Sequence, residues 1–545
     1  MSTHIIRFKA ICMMAVSAIL TASVVLSVML AAGCGGNGND GGGTPGASGK
    51  ASETRQPLDN SSNPTSETAA ADDAAATDGA DTADGAAATD GADTADGAAA
   101  TDGAAATDGA ATADNAAATD NTITSGGIAT ANSAAEDIAS AIADAKLLAA
   151  SYDYDRAIAK LESVKANTNA VSGGSKTLLA EAITEIAAEK ATLEEADVTA
   201  VPHIFFHSLI VDPSLAFHND KARAEDYNIS MTTVDEFNLI IQQMYDRGYV
   251  LVSLHQMAQY TEGADGSGRM TAGKIMLPPG KKPIVLSIDD MSYYAYMMTD
   301  GFATKLVIGP DGNLTNEMEK NDGTTVYGSY DVVPLLNDFI KKHPDFSYQG
   351  AKGAIALTGY DGVFGYRTDQ DYYLKEHLLY EQAEWLKKHP DFDYEKDLAD
   401  AKVIAQALRD DGWELASHSW GHRDMQKNSM EKFVTDMEKW IDRVESIIGD
   451  TDILIYPFGS DVETETGSAY TMDNEKYAWL HDHGFHYFCT VNSTQPSVQI
   501  GDQYLRQGRI NADGYMMYHF PEKLMPYFDV DSVFDSKRPL PVLEY

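Results

Sequence analysis

The chain has 545 residues, 9% of them aromatic, and a formal net charge of −42. That length suggests two to four structural units, and the aromatic content allows a sizeable core. The acidic excess argues against nucleic acid and against anionic membrane surfaces as partners. The cysteines are Cys12, Cys34 and Cys489, so no disulfide framework is expected. Cys489 sits in the apolar run "FHYFCTV" and reads as a small buried hydrophobe.

Residues 1–34 place two cations, Arg7 and Lys9, before a long apolar run that ends in "LAAGC". This is the layout of a secretory signal, and its ending resembles a bacterial lipobox. Residues 1–33 are therefore expected to be a lipoprotein signal peptide, with Cys34 the lipid-modified first mature residue. The protein would then lie outside the cytoplasm, held to the bacterial cell membrane by its lipid anchor alone. Within residues 34–130, residues 71–121 repeat variants of "AAATDGADTADG", and no large apolar residue occurs between Leu58 and Ile123. A segment of this kind cannot offset its chain entropy by burial, which predicts a disordered acidic tether.

From about residue 131 to 200 the pattern turns helical. Ile138, Ile142, Ala145 and Leu148 share one stripe, Ile158, Leu161 and Val164 a second, and Leu179, Ile183, Ile186 and Leu193 a third. A helical hairpin or small bundle acting as a spacer is expected. "YDYDRAIAKLESVK" loosely resembles one helix of a tetratricopeptide unit, but a single unit cannot build a solenoid. The sequence names no protein partner for it.

Residues 201–545 alternate strand and helix. "HIFFHSLI", "YVLVSL", "KPIVLSIDD", "GAIALTG", "WELAS", "DILIYPFG" and "FHYFCTV" read as strands. "TVDEFNLIIQQMYDRG" reads as a helix opened by a capping box, Thr233 to Glu236, and closed at Gly248. A long helical stretch is expected from about Asp371 to Asp410. Repeated βα units predict a parallel sheet, and about seven strands fit a distorted (β/α) barrel.

The chemically notable residues follow strands. Asp289 and Asp290 end "KPIVLSIDD", His418 follows "WELAS", and Pro457, Phe458 and Gly459 follow "DILIY". In such barrels the C-terminal strand ends form the active face, so these three segments should converge. His418 and His422 are four apart. With one carboxylate, two histidines would leave metal positions open for water and substrate, and the second carboxylate could accept a proton. An isolated His-x-x-x-His or Asp-Asp pair is weak on its own. Their shared position at strand ends makes the set specific.

"SIDD", "HSWGH" and "YPFG" resemble, in order, the motifs of NodB-homology polysaccharide deacetylases, which are metal-dependent carbohydrate esterases. The opening "FFHSL", followed by "MTTVDEFNLIIQQMYDRGYVLVSL", is also similar to the entry of biofilm-polysaccharide deacetylases. The resemblance covers about residues 202–545. It implies that Asp289 is the catalytic base and that Asp290, His418 and His422 bind a divalent metal, with zinc expected. It further implies that the Phe458 amide helps hold the oxyanion, and His519 in "MYHF" is a rough match for the general acid. The family's Arg two residues before the Pro is Ile455 here, leaving Arg367, Arg506 or Arg509 as substitutes. The "MSYYAYM" after the aspartates reads as packing or as an aromatic wall for sugar rings. The function implied is deacetylation of N-acetylated sugars in a cell-wall or envelope polysaccharide. The rival readings are a weakly catalytic carbohydrate-binding lipoprotein and a glycosidase.

Overall fold

Strands that are apolar along their whole length have both faces to bury, and parallel sheets are where such strands occur. In the computed structural model, which describes residues 125–167, 173–217, 223–263, 268–463 and 467–544, eight strands matter, most of them of this kind, with Leu505–Asn511 the polar exception. They are β1 (His203–Phe206), β2 (Tyr249–Leu251), β3 (Lys282–Ile288), β4 (Gly353–Leu357), β5 (Trp413–Ser417), β6 (Ile453–Ile455), β7 (Tyr487–Val491) and β8 (Leu505–Asn511). Seven of them close a parallel ring in the order β3, β4, β5, β6, β7, β8, β1 and back to β3. The closing registers are Ile355 opposite Ile288, and Ile510 opposite Ile204. This is the expected distorted barrel. The distortion sits at β2, which pairs only with the first residues of β3, Lys282 to Ile284, before β4 takes over that edge at Ser287.

Alternation along each strand divides the core in two. Ala354 and Ala356 of β4 and Ile453 and Ile455 of β6 join one cluster, while Ile355, Leu357 and Leu454 join another. The second cluster lies under the surrounding helices. These include α4 (Val234–Asp246), α5 (Val332–Lys342), α6 (Tyr394–Asp410), α7 (Met430–Trp440) and α8 (Glu475–Asp482). On α4 the apolar stripe Phe237, Ile240, Ile241 and Met244 is buried, and the Thr233–Glu236 capping box is formed.

The N-terminal helical unit is not a free-standing spacer. Its helices α1 (Ser125–Ala150), α2 (Tyr154–Asn167) and α3 (Gly173–Lys190) bury Ile138, Ala145, Leu161, Leu179 and Ile186 in the same cluster as Val285, Ala354 and Leu505 of the barrel. Tyr152 fixes the junction. Its ring stacks on Tyr348 at 6.0 Å, and its hydroxyl donates to the Asp345 carbonyl at 2.8 Å. The helical periodicity was visible in the sequence, whereas the surface that accepts it is assembled from distant strands.

Other expectations are revised. The single helix expected over 371–410 is three: Gln370–Leu374, Tyr380–Lys388 and α6. Lys375 and His377 adopt left-handed φ values of 58° and 53°, and Pro390 cannot continue a helix. Unforeseen antiparallel strands at Lys305–Ile308, Leu314–Glu319 and Thr325–Gly328 form a small separate sheet. Among the described residues no helix is long and apolar enough to cross a membrane. The signal peptide, Cys34 and the tether up to residue 124 lie outside the described residues.

Candidate metal centre

β3 ends at Ile288, so Asp289 and Asp290 leave the barrel at its C-terminal face. β5 ends at Ser417 and delivers His418, and β6 ends two residues before Pro457. These segments do converge. One ligand atom each from Asp290, His418 and His422 lies within 4.8 Å of the others. His422 Nε2 is 3.7 Å from Asp290 Oδ2. His418 Nδ1 donates to the Ile455 carbonyl at 2.7 Å, which fixes the tautomer and leaves Nε2 facing the site. Burial pulls the His418 imidazole down to about 4, against the raising effect of Asp289 and Asp290. A neutral imidazole with a fixed outer hydrogen bond suits a divalent cation. With the His422 ring and the Asp290 carboxylate it forms a donor set with open positions.

The loop carrying the histidines is tightly built. Asp436 on α7 accepts the Trp420 and Gly421 amides at 2.9 and 3.0 Å. The Trp420 indole donates to Asp369 at 2.7 Å, and Lys439 lies 3.9 Å above its ring. Gly421 is required by this approach, because a Cβ there would sit 2.9 Å from an Asp436 oxygen. Asp290, Ser419, His422 and Phe458 all hold left-handed φ, between 50° and 58°. Each costs about 1–3 kcal/mol for a side-chain-bearing residue, so backbone strain gathers at this site.

Asp289 is not a member of the ligand cluster. Arg509 on β8 donates to both its oxygens, at 2.6 and 2.9 Å. Burial pushes the Asp289 carboxyl up, and Arg509, helped by His418, overrides this and holds it well below the usual carboxylate range. Arg509 is therefore the arginine beside the Asp289 carboxylate. The other two candidates are engaged elsewhere: Arg367 donates to the Asp361 and Tyr293 carbonyls, and Arg506 pairs with Asp461. Beneath Arg509 the barrel interior is polar. Arg509 donates to Ser287 at 3.0 Å, Ser287 reaches His203 Nε2 at 2.9 Å, and His203 Nδ1 reaches Gln507 at 3.1 Å.

Phe458 forms one wall. Its ring meets His422 edge-on at 4.3 Å. The turn bonds around it run from the Gly459 and Ser460 amides, and none engages the Phe458 amide, which leaves that N–H for a ligand.

Among the described residues, His519 is joined to this cluster by no hydrogen bond or ion pair. It ends the short helix Gly514–His519. Its Nε2 lies 3.0 Å from the Val542 carbonyl, and its ring packs with Tyr515, Tyr518 and Phe520. A second histidine, within electrostatic reach of the carboxylates, was missed. His207 follows β1, and burial, with Arg509 and His422, lowers its imidazole against the raising effect of Asp289 and Asp290. Its Nδ1 is buried and has no hydrogen-bond partner among the described residues. The signal was the "FFHSL" at a strand end, which could be weighed only once β1 was known to adjoin β3. In "MSYYAYM" the Tyr294 ring packs against Tyr296 and Tyr360 as the packing reading has it, and its hydroxyl also donates to Asp290.

Residues 380–474 match the family model described as polysaccharide deacetylase. That span contains His418, His422 and Phe458, while the two aspartates precede it. Among solved structures, the chain is similar to the deacetylase PplD of Streptococcus pyogenes in complex with acetate. Identity is 15%, the TM-score is 0.31, and the match covers 62% of this chain and 99% of that one. It is also similar to a Bacillus anthracis protein described as a polysaccharide deacetylase, at 12% identity and a TM-score of 0.30, covering 58% of this chain and 65% of the other. A search of the curated proteins found no match. Residues 380–474, which carry two of the three motifs on this barrel face, are thus similar to the polysaccharide deacetylase family.

Proposed function

We propose that the protein removes acetyl groups from N-acetylated sugars of a cell-wall or envelope polysaccharide, using a divalent metal held by Asp290, His418 and His422. The observation that carries this reading is the convergence of those three ligand atoms within 4.8 Å, beside a carboxylate that Arg509 keeps ionised. A cation bound there would supply Lewis acidity, polarising a carbonyl and bringing the pKa of water toward about 7. Asp289 accepts the proton of the attacking water. The Phe458 amide donates to the carbonyl oxygen as it gains charge. His207, buried within electrostatic reach of Asp289 and Asp290, is the group assigned to pass a proton to the departing sugar nitrogen. Arg509 also removes the motive for a silent, merely sugar-binding reading, because the arginine missing at Ile455 is supplied from another strand. Zinc is the metal proposed, since imidazole and carboxylate ligands suit it. A lipid on Cys34 and a long acidic tether would let the domain reach polysaccharide beyond the membrane.

The test uses the full chain and an N-acetylated glucosamine oligomer. Acetate release should stop on chelation and return with added zinc. Asp289→Asn should keep one zinc per chain and lose activity by about 10²–10⁴-fold. New reducing ends that persist under chelation would instead indicate a glycosidase.

A further inference from the structure

The ligand Asp290 has its own support. The Tyr294 hydroxyl lies 2.7 Å from Asp290 Oδ1 and 2.7 Å from Thr358 Oγ1. Thr358 Oγ1 in turn lies 3.0 Å from Ser292 Oγ. All three side chains are buried. An ionised carboxylate only accepts hydrogen bonds, so the phenol proton points to Asp290. The Tyr294 oxygen is then the acceptor for Thr358, and the Thr358 oxygen the acceptor for Ser292. Three hydroxyl protons run one way along a buried chain that ends on one carboxylate oxygen, and such aligned bonds strengthen one another. The other oxygen, Oδ2, is the one that faces His422. The Tyr294 ring cannot swing aside. It is stacked between Tyr296 at 5.4 Å and Tyr360 at 5.1 Å, with interplanar angles of 9° and 16°.

We propose that Tyr294 is a positioning residue that makes Asp290 a one-oxygen metal ligand, committing Oδ1 to the phenol and leaving Oδ2 to the cation. Thr358 and Ser292 fix the direction of the phenol proton. This rests on the metal-site reading above. It also explains why a tyrosine-rich segment follows the aspartates directly: Asp290 is in left-handed conformation, and the chain turns back at once to brace it.

The experiment measures zinc affinity of the purified full chain by competition with a chromophoric chelator, with metal-free folding followed by circular dichroism. Tyr294→Phe should weaken zinc binding by about 10–100-fold, the range for loss of a ligand's outer hydrogen bond, while the metal-free spectrum stays that of the parent. Thr358→Val should weaken it in the same direction by less. If the parent binds one zinc and Tyr294→Phe binds it equally well, the positioning role is overturned and the metal site stands. If the parent binds no zinc, the metal-site reading fails first and takes this inference with it. Should Tyr294→Phe fail to fold, Thr358→Val decides, and unchanged affinity there overturns the proposal.

Discussion

The Arg509 guanidinium on β8 meets the Asp289 carboxylate on β3 through two parallel hydrogen bonds, crossing the Phe205 ring of the intervening β1 at 4.1 Å. Both charged groups are buried. A pair of this kind is sensitive to losing one member, because the survivor is left as an uncompensated buried charge. Arg509→Met should destabilise the fold by about 3–5 kcal/mol and abolish acetate release. Arg509→Lys keeps the charge but not the planar fork, so it should recover part of the stability and little of the activity. Urea midpoints and acetate assays on both variants check this. A fully active Arg509→Met would remove Arg509 from its assigned place.

The two histidines offered as proton donor separate cleanly. His207→Ala should lower deacetylation by about 10²–10⁴-fold, since its buried ring adjoins the carboxylate pair. His519→Ala should leave turnover near that of the parent, because its ring nitrogen serves the Val542 carbonyl. Steady-state rates on one substrate decide between them, and the reverse ranking would restore His519.

At the opposite end of the barrel, His255 bridges two carboxylates. Nδ1 is 2.5 Å from Glu414, at the start of β5, and Nε2 is 3.0 Å from Asp452, just before β6. Burial alone would lower this imidazole, but Asp452 and Glu414 override it and raise it to about 10. A raised folded-state value means the folded protein holds a proton that the unfolded chain gives up near 6.5. The stabilisation is therefore complete below about pH 6.5. It is lost progressively as pH rises toward about 10. Thermal midpoints from pH 6 to 10 should fall more steeply for the parent than for His255→Gln. Parallel curves would show that His255 is not charged in the fold.

The helical unit should unfold with the barrel rather than before it. Tyr152 is buried at their junction. Truncating a buried aromatic costs about 3–5 kcal/mol, so Tyr152→Ala should lower a single shared transition seen by both circular dichroism and tryptophan fluorescence. All five tryptophans lie beyond residue 384, so fluorescence reports the barrel alone. An unchanged fluorescence midpoint would return the unit to the status of an independent spacer.

The order of apolar runs and turn signals was enough to establish alternating βα units, because strands buried on both faces are mostly apolar runs; β8, with Arg506, Gln507 and Arg509 buried along it, carried no such signal. "SIDD", "HSWGH" and "YPFG" marked the site for the same local reason: each follows a strand end, and strand ends share one face of a barrel. What the sequence could not supply was adjacency across the ring. Closure brings β8 beside β1 and β1 beside β3, and only that order sets Arg509 on Asp289 and places His207 within electrostatic reach of the carboxylates. His519 carried the more familiar pattern, yet a short helix commits its ring to the chain's last segment. Tyr294 looked like packing because a single hydrogen bond to a ligand leaves no periodic trace. The identities of the metal-binding groups were thus written in local sequence. The partners that set their charge, tautomer and orientation come from residues hundreds of positions apart, brought together by burial of the barrel core.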